Sequence, residues 1–516
     1  MNRLCKQTTS AIMLVLTLLM ACCASGLESQ AAEVIAVCPQ PFRAALKTWI
    51  DHRLSQQVSV QVIDTQSDAK KLNESIRLAA DDTTRYVVLC GDSPVIGTRT
   101  NLARDVPTIY LPTNVTAQWG STPTFATDMP FGDFDSDGIP DAVVGRLPVQ
   151  READLSRLIQ RIIAYEHSDD FGAWRGHVQL VGGIGGFGMM ADAAIESVTR
   201  TVVTSVLPAE TKTNVAYASP GHLFYPPGDS FTDAVINQYA QGSRFWVYAG
   251  HGQVTELDRV PQTRDGVAVL DQNSIRRLAR PAKSAPIALM LACYTGAIDA
   301  SNDSLGERMM LTDGGPIAVF AGSRMTMPYG NTTAAVGLIK GVYEEKLPRL
   351  GDAWLSTLKQ MRADDSKEKS TSRIMIDAVA AMVSPAGTKL IDERHEHMGL
   401  YNLLGDPLLQ MHHPQKVTVE VASGIAIGEP VVMNVTSPID GNLTLTVDRP
   451  LGAITNGDPN ATTVASLSSQ AKAGQVFKHQ VLLPVDASGP MIVRAIVSGT
   501  DRWATGVAKT NVRKAQ

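Results

Sequence analysis

Cysteine is scarce in this 516-residue chain: there are six, and Cys5, Cys22 and Cys23 fall in or at the end of the first apolar run. The other three, Cys38, Cys90 and Cys293, are too few for a disulfide framework, which excludes the small disulfide-stapled class. Aromatic residues make up only 5%, and neither sign of charge dominates, with 46 Lys and Arg against 51 Asp and Glu. No basic footprint for nucleic acid is present. Beyond the amino terminus no segment reaches about 18 consecutive apolar residues, so no further helical membrane span is expected. What remains is a composition of 44% apolar and 19% charged residues, the mark of a folded protein of two or three domains.

The first residues place Arg3 and Lys6 before an apolar run from Ala11 to about Ala24, the layout of a secretory leader. The chain is therefore expected to be exported, with residues 1–31 as the leader. Its end reads in two ways. Ser29-Gln30-Ala31 offers small residues for cleavage after Ala31, whereas Leu19-Met20-Ala21-Cys22 resembles a lipobox that would leave Cys22 lipidated on a membrane surface. Losing Arg3 and Lys6 with residues 1–21 leaves 44 basic against 51 acidic side chains, a formal charge of −7.

From residue 32 to 177, β-branched runs alternate with amphipathic ones: VIAVC (34–38), VSVQVID (58–64), YVVLCGD (86–92) and TIYLP (108–112), with helices around 42–54 and 68–80. This is the βαβ pattern of a parallel sheet covered by helices. Leu155, Leu158, Ile159, Ile162 and Ile163 mark one face of a helix over 151–166. A second α/β stretch over 178–413 carries VQLVGGIGG, a helix over 191–207, NVAYAS, FWVYAGHG, a helix near 271–280, IALMLACYTG and PIAVFAGS, then mainly helices from Gly337 to Val383. Residues 414–516 change to short alternating strands split by turn residues, as in a β-sandwich. Cys38 and Cys90 each end a strand-like run, and neighbouring strands would allow them to pair.

Asp133, Asp135, Asp137 and Asp141, with Gly138 at the tight turn, space carboxylates as a calcium loop does, although Val144 stands where an EF-hand has Glu. Four carboxylates in nine residues repel unless neutralised, so a structural Ca²⁺ is expected. Gly183-Ile-Gly185-Gly-Phe-Gly188 follows a strand as a dinucleotide fingerprint would, but NVAYAS ends without the acid that holds a ribose, so no organic cofactor is expected. Arg394-His395-Glu396-His397 and His412-His413 supply no three metal ligands at usable spacing.

His251 and Cys293 each lie just past the carboxyl end of a buried apolar strand, FWVYAG and IALMLA, where parallel sheets place ligands. If those strands are neighbours, an imidazole meets a thiol. The pair could attack a carbonyl and protonate a leaving amine, with the N–H groups of Gly252 and Cys293 as an oxyanion hole.

His-Gly after one strand and Ala-Cys after the next resembles the clan of caspases, legumains and gingipains. AGHGQVTELD, ALMLACYTGAID, Asp137-Gly-Ile-Pro-Asp-Ala-Val-Val-Gly-Arg146, Tyr165-Glu166 and Tyr401-Asn-Leu-Leu-Gly-Asp-Pro-Leu-Leu409 narrow the resemblance to gingipain-type cysteine peptidases over about residues 80–411. It implies a caspase-like α/β fold: an N-terminal subdomain (32–177) and a catalytic subdomain (178–413) with mainly parallel sheets, then an immunoglobulin-like β-sandwich (414–516). It implies a cysteine endopeptidase acting on proteins or peptides, with Cys293 as nucleophile and His251 as general acid/base. Two departures stand out. Arginine-specific gingipains carry a glutamate supporting the histidine where this chain has Ile184, so a dyad is expected. Asp192 lies near where the family carries an acid for basic substrate side chains, but at a different spacing; its alternative role is to favour a helix N-terminus. No pro-segment is apparent before the first strand. The lost glutamate also motivates a rival reading, a catalytically silent surface binding module, against which stands the retention of Cys293 and His251.

Overall fold

The computed structural model describes residues 32–513, apart from 187, 189–192, 194, 195, 197–205, 229, 364–370, 384–387 and 455. The leader, including Cys22, lies outside the described residues, as do Asp192 and most of the helix expected over 191–207. Among the described residues no helix is long and apolar enough to cross a membrane.

Ten strands build one sheet: β1 (Val34–Val37), β2 (Val60–Ile63), β3 (Tyr86–Cys90), β4 (Val143–Leu147), β5 (His177–Gly182), β6 (Lys212–Tyr217), β7 (Phe245–Ala249), β8 (Ile287–Leu291), β9 (Ala318–Gly322) and β10 (Tyr401–Leu404). Their spatial order is β2-β1-β3-β4-β10-β9-β8-β7-β5-β6. β2-β1-β3-β4 are mutually parallel, as are β9-β8-β7-β5-β6. β10 runs antiparallel to β9 and meets β4 at Leu404 and Arg146, joining the two α/β stretches.

Alternation along β1 explains why the sheet is covered on both faces. Val34 and Ala36 enter the core that holds Leu46, Trp49 and Ile159. Ile35 and Val37 face the opposite layer with Leu72 and Ile76. In-register pairing of Val37 with Leu89 sets Cys38 beside Cys90, and both are buried free thiols. Contact with Cys38, together with burial, pushes the Cys90 thiol well up.

Buried ions pin the helices to this sheet. Arg53, on the helix Arg43–Ser55, reaches Glu166 at 2.8 Å and Asp406 at 2.6 Å, and His52 Nε2 lies 2.6 Å from Glu166. Arg146 pairs with Asp128 at 2.7 Å.

Some elements differ from the sequence reading. TIYLP leaves the main sheet and forms a hairpin, Ile109–Pro112 with Thr124–Thr127. The helix expected near 271–280 shortens to a 3₁₀ turn, Ser274–Arg277, because Asp271 accepts from the Asn273 and Ser274 amides and so favours a turn. Residues 415–513 form a sandwich with its own apolar core around Val431, Met433, Leu445, Val493 and Ala495. One sheet has the order Gln415–Lys416, Trp503–Arg513, Gly489–Ser498, Gly441–Asp448, Thr463–Ala471, and the other Thr418–Val421, Val431–Thr436, Val476–Val481. The sandwich docks on edge strand β6: the Asn460 side chain accepts from Val215 N (2.8 Å) and donates to Val215 O (3.0 Å).

Candidate active site

The pairing of β7 with β8 runs through Leu291 opposite Ala249, in register and parallel. Two residues further along each strand stand Cys293 and His251. The strands expected to be neighbours are neighbours, and their ends carry the thiol and the imidazole to one edge of the sheet. Gly252 packs against the turn of Cys293 so closely that a Cβ there would lie 2.8 Å from Cys293 O. Among the described residues, neither the Gly252 nor the Cys293 N–H donates to a main-chain carbonyl.

Local backbone fixes the thiol. Tyr294 adopts a left-handed conformation (φ 60°), so the chain turns sharply after the cysteine. Tyr294 N donates to Arg324 O and Gly296 N to Gly322 O, tying the turn to the end of β9. Thr326 N donates to Cys293 Sγ at 3.3 Å, and Sγ lies 3.6 Å from Thr326 O. Burial raises the thiol pKa, against the opposing pull of the Thr326 amide and hydroxyl.

The imidazole is held from the glycine-rich turn after β5. His251 Nε2 lies 3.0 Å from Gly185 O, which makes Nε2 the protonated nitrogen of the neutral ring and leaves Nδ1 basic. Ile184 is exposed, and its main-chain N–H donates into the site, to Asp258. Asp258, just after the Gly252 turn, is buried: its Oδ2 accepts from His251 N and Ile184 N, each at 3.1 Å, and lies 3.1 Å from Tyr248 Oη. Tyr248 Oη also lies 2.7 Å from His251 O. A Cβ on Gly183 would stand 2.0 Å from Asp258 Oδ2, so the first glycine of this turn leaves room for that carboxylate. An apolar cleft lined by Leu180, Gly183, Gly185, Gly250 and Leu291 opens beside Cys293.

Asp258, Tyr248 and Thr326 were not singled out from the sequence. Asp258 falls within AGHGQVTELD, but nothing in that run shows that its carboxylate folds back onto two amides. The histidine-rich stretch has structural roles: His397 Nε2 accepts from Met327 N at 2.7 Å, Glu396 accepts from the amides of Asn114, Val115 and Thr116, and His395 Nδ1 lies 2.9 Å from Arg362. His412 and His413 meet the carbonyls of Glu166 and Leu347.

Away from this edge, Asp133, Asp135 and Asp141 bring carboxylate oxygens within 4.8 Å of one another. Asp137 is not part of that group; its Oδ1 accepts from Ile139 N at 2.7 Å. Burial, with the charges of Asp137 and Asp135, raises the Asp133 pKa. A cluster of carboxylate oxygens with one buried member, Asp133, has the donor chemistry of a hard-cation site.

A sequence profile of peptidase family C25 matches residues 27–412, and the chain belongs to that family, hence to the gingipain-type cysteine peptidases. Among solved structures it is similar to the Arg-specific cysteine proteinase gingipain R (RgpB), with 15% identity and a TM-score of 0.53 over 94% of this chain and 99% of that one. It is likewise similar to the complex of the RgpB pro- and mature domains from Porphyromonas gingivalis, with 15% identity and a TM-score of 0.52 over 93% and 100% of the two chains. No curated protein sequence matches it. The structural likeness carries the gingipain fold, α/β sheet and trailing β-sandwich included.

Proposed function

We propose that this chain is an exported cysteine endopeptidase that cleaves proteins or peptides through a Cys293–His251 dyad. The observation that supports it most is the parallel register of β7 on β8, with His251 and Cys293 each two residues beyond the paired ends, and Cys293 lining an apolar cleft. The thiol rests protonated, since burial raises its pKa. As Sγ attacks the scissile carbonyl, its proton passes to His251 Nδ1, a C–S bond forms, and the N–H groups of Gly252 and Cys293 stabilise the oxyanion. The C–N bond then breaks as His251 returns that proton to the leaving amine. Water attacks the thioester, giving a proton to His251; the C–S bond breaks and the thiol is restored. The carbonyl of Gly185 takes the orienting role that a carboxylate fills in the arginine-specific relatives.

The same proposal includes a structural Ca²⁺ held by Asp133, Asp135 and Asp141, where it would neutralise their mutual repulsion. It also includes the leader of residues 1–31, with Cys22 as the lipidation site if the chain is anchored rather than freely secreted. An irreversible thiol-directed peptidyl probe tests the dyad: it should label Cys293, and His251→Ala should lose the label. Equal labelling of both proteins would remove His251 from the mechanism.

A further inference from the structure

Asp258 is buried, yet among the described residues no Lys, Arg or His forms an ion pair with it. A carboxylate in such a place costs free energy unless hydrogen bonds compensate. Its compensation is unusual in where it comes from. Oδ2 accepts from Ile184 N, in the turn after β5, and from His251 N, in the turn after β7, and lies beside Tyr248 Oη, whose one proton has its shorter contact with His251 O. One oxygen thus ties together the two loops that carry Gly185 O and the imidazole it orients. The glycines on both sides are what make room: a Cβ on Gly250 would stand 2.8 Å from Asp258 Oδ2 and 2.9 Å from the Gly183 Cα.

We infer that Asp258 is a positioning residue of the peptidase site, clamping the Gly183–Gly186 turn to the His251 turn so that Nε2 stays on Gly185 O and the imidazole keeps one orientation. The inference rests on the peptidase reading for its kinetic consequence, but the clamp itself does not. With Ile184 in place of a carboxylate side chain, the ring is oriented by a main-chain carbonyl. That carbonyl is only as well placed as the loop that bears it. Asp258 fixes the loop through its amide, one residue before Gly185.

The test uses the full chain and the near-isosteric Asp258→Asn, compared with wild type for melting temperature, amide hydrogen exchange and kinetics on a p-nitroanilide and a p-nitrophenyl ester of the same acyl group. The clamp predicts exchange at Ile184 and His251 faster by about tenfold or more, with the core strands unchanged. A loose imidazole harms the anilide more than the ester, because only the poor amine leaving group needs His251 as a well-placed acid. The anilide kcat/KM should therefore fall by at least about threefold more than that of the ester, at similar KM. Unchanged exchange at both amides overturns the clamp whether or not the protein cleaves anything. Equal losses on the two substrates overturn the positioning role, since they report only a smaller fraction of folded enzyme. A wild type that cleaves neither substrate overturns the peptidase reading alone, and the exchange data still decide the clamp.

Discussion

At the scale of single residues, the site depends on what is missing from a side chain as much as on what is present. Gly252 has no room for a methyl group, which would lie 2.8 Å from Cys293 O and from the Thr295 side chain and 2.9 Å from the Ala292 Cβ. If the Gly252 and Cys293 N–H groups form the proposed oxyanion hole, Gly252→Ala should push them apart and lower kcat/KM by about a hundredfold or more, with little change in melting temperature. Steady-state kinetics against the wild type checks this. A different residue sets a pH response. Burial raises the Glu393 carboxyl to about 7. Its Oε1 accepts from Gly330 N, at the start of the helix Pro328–Tyr343 that follows Thr326. A raised carboxyl contributes full stability below the unfolded value of 4.5 and loses it as pH climbs through about 7. Glu393→Gln should therefore gain on wild type above pH 7, by at most about 3 kcal/mol, and the gain should vanish near pH 4. Melting temperatures across that range measure it. The meeting of the His251 and Cys293 strand ends was legible in the sequence because each follows an apolar strand. Asp258 and Glu393 were not, since each acts on amides brought near by folding.

At the scale of elements, the motifs that carry the family resemblance turn out to hold the frame. Glu166 closes one helix, Asp406 follows β10, and Arg53 joins them from a third element, all three side chains being fully buried. Burial would raise Glu166, but His52 and Arg53 hold it down to about 2. Its contribution is present above about pH 4.5 and lost as pH falls towards 2. Asp406→Asn leaves Arg53 short of one charge and should cost about 3–5 kcal/mol, read from denaturant unfolding at neutral pH. The proposed calcium loop is tested at the same scale. Calcium at about a hundred times its Kd should add about 2.7 kcal/mol to stability, a chelator should remove it, and Asp141→Asn should abolish the response. A melt indifferent to both calcium and chelator would reject the ion. Strands and helices of the βαβ units could be read from periodicity, whereas β10 could not: four residues directly after a helix carry no turn signal, and only their place between β4 and β9 reveals them. TIYLP alternates like a strand, but periodicity does not say which sheet a strand joins.

At the scale of the whole molecule, both α/β stretches send their loops to one region. Ile96 N, beyond β3, donates to Asp299 O, beyond β8, and Gln150 Nε2 reaches both Asp92 and Asp303. The division between the stretches is thus bridged by the sheet and by its loops, and Cys293 sits on a support that spans the catalytic region. The sandwich enters through Asn460, whose amide occupies both hydrogen-bonding groups of Val215 on the outermost strand. An open strand edge of this kind invites another extended chain to add on. By filling that berth with a side chain that cannot propagate a ladder, the sandwich leaves Val215 no free main-chain group for a second chain to pair with.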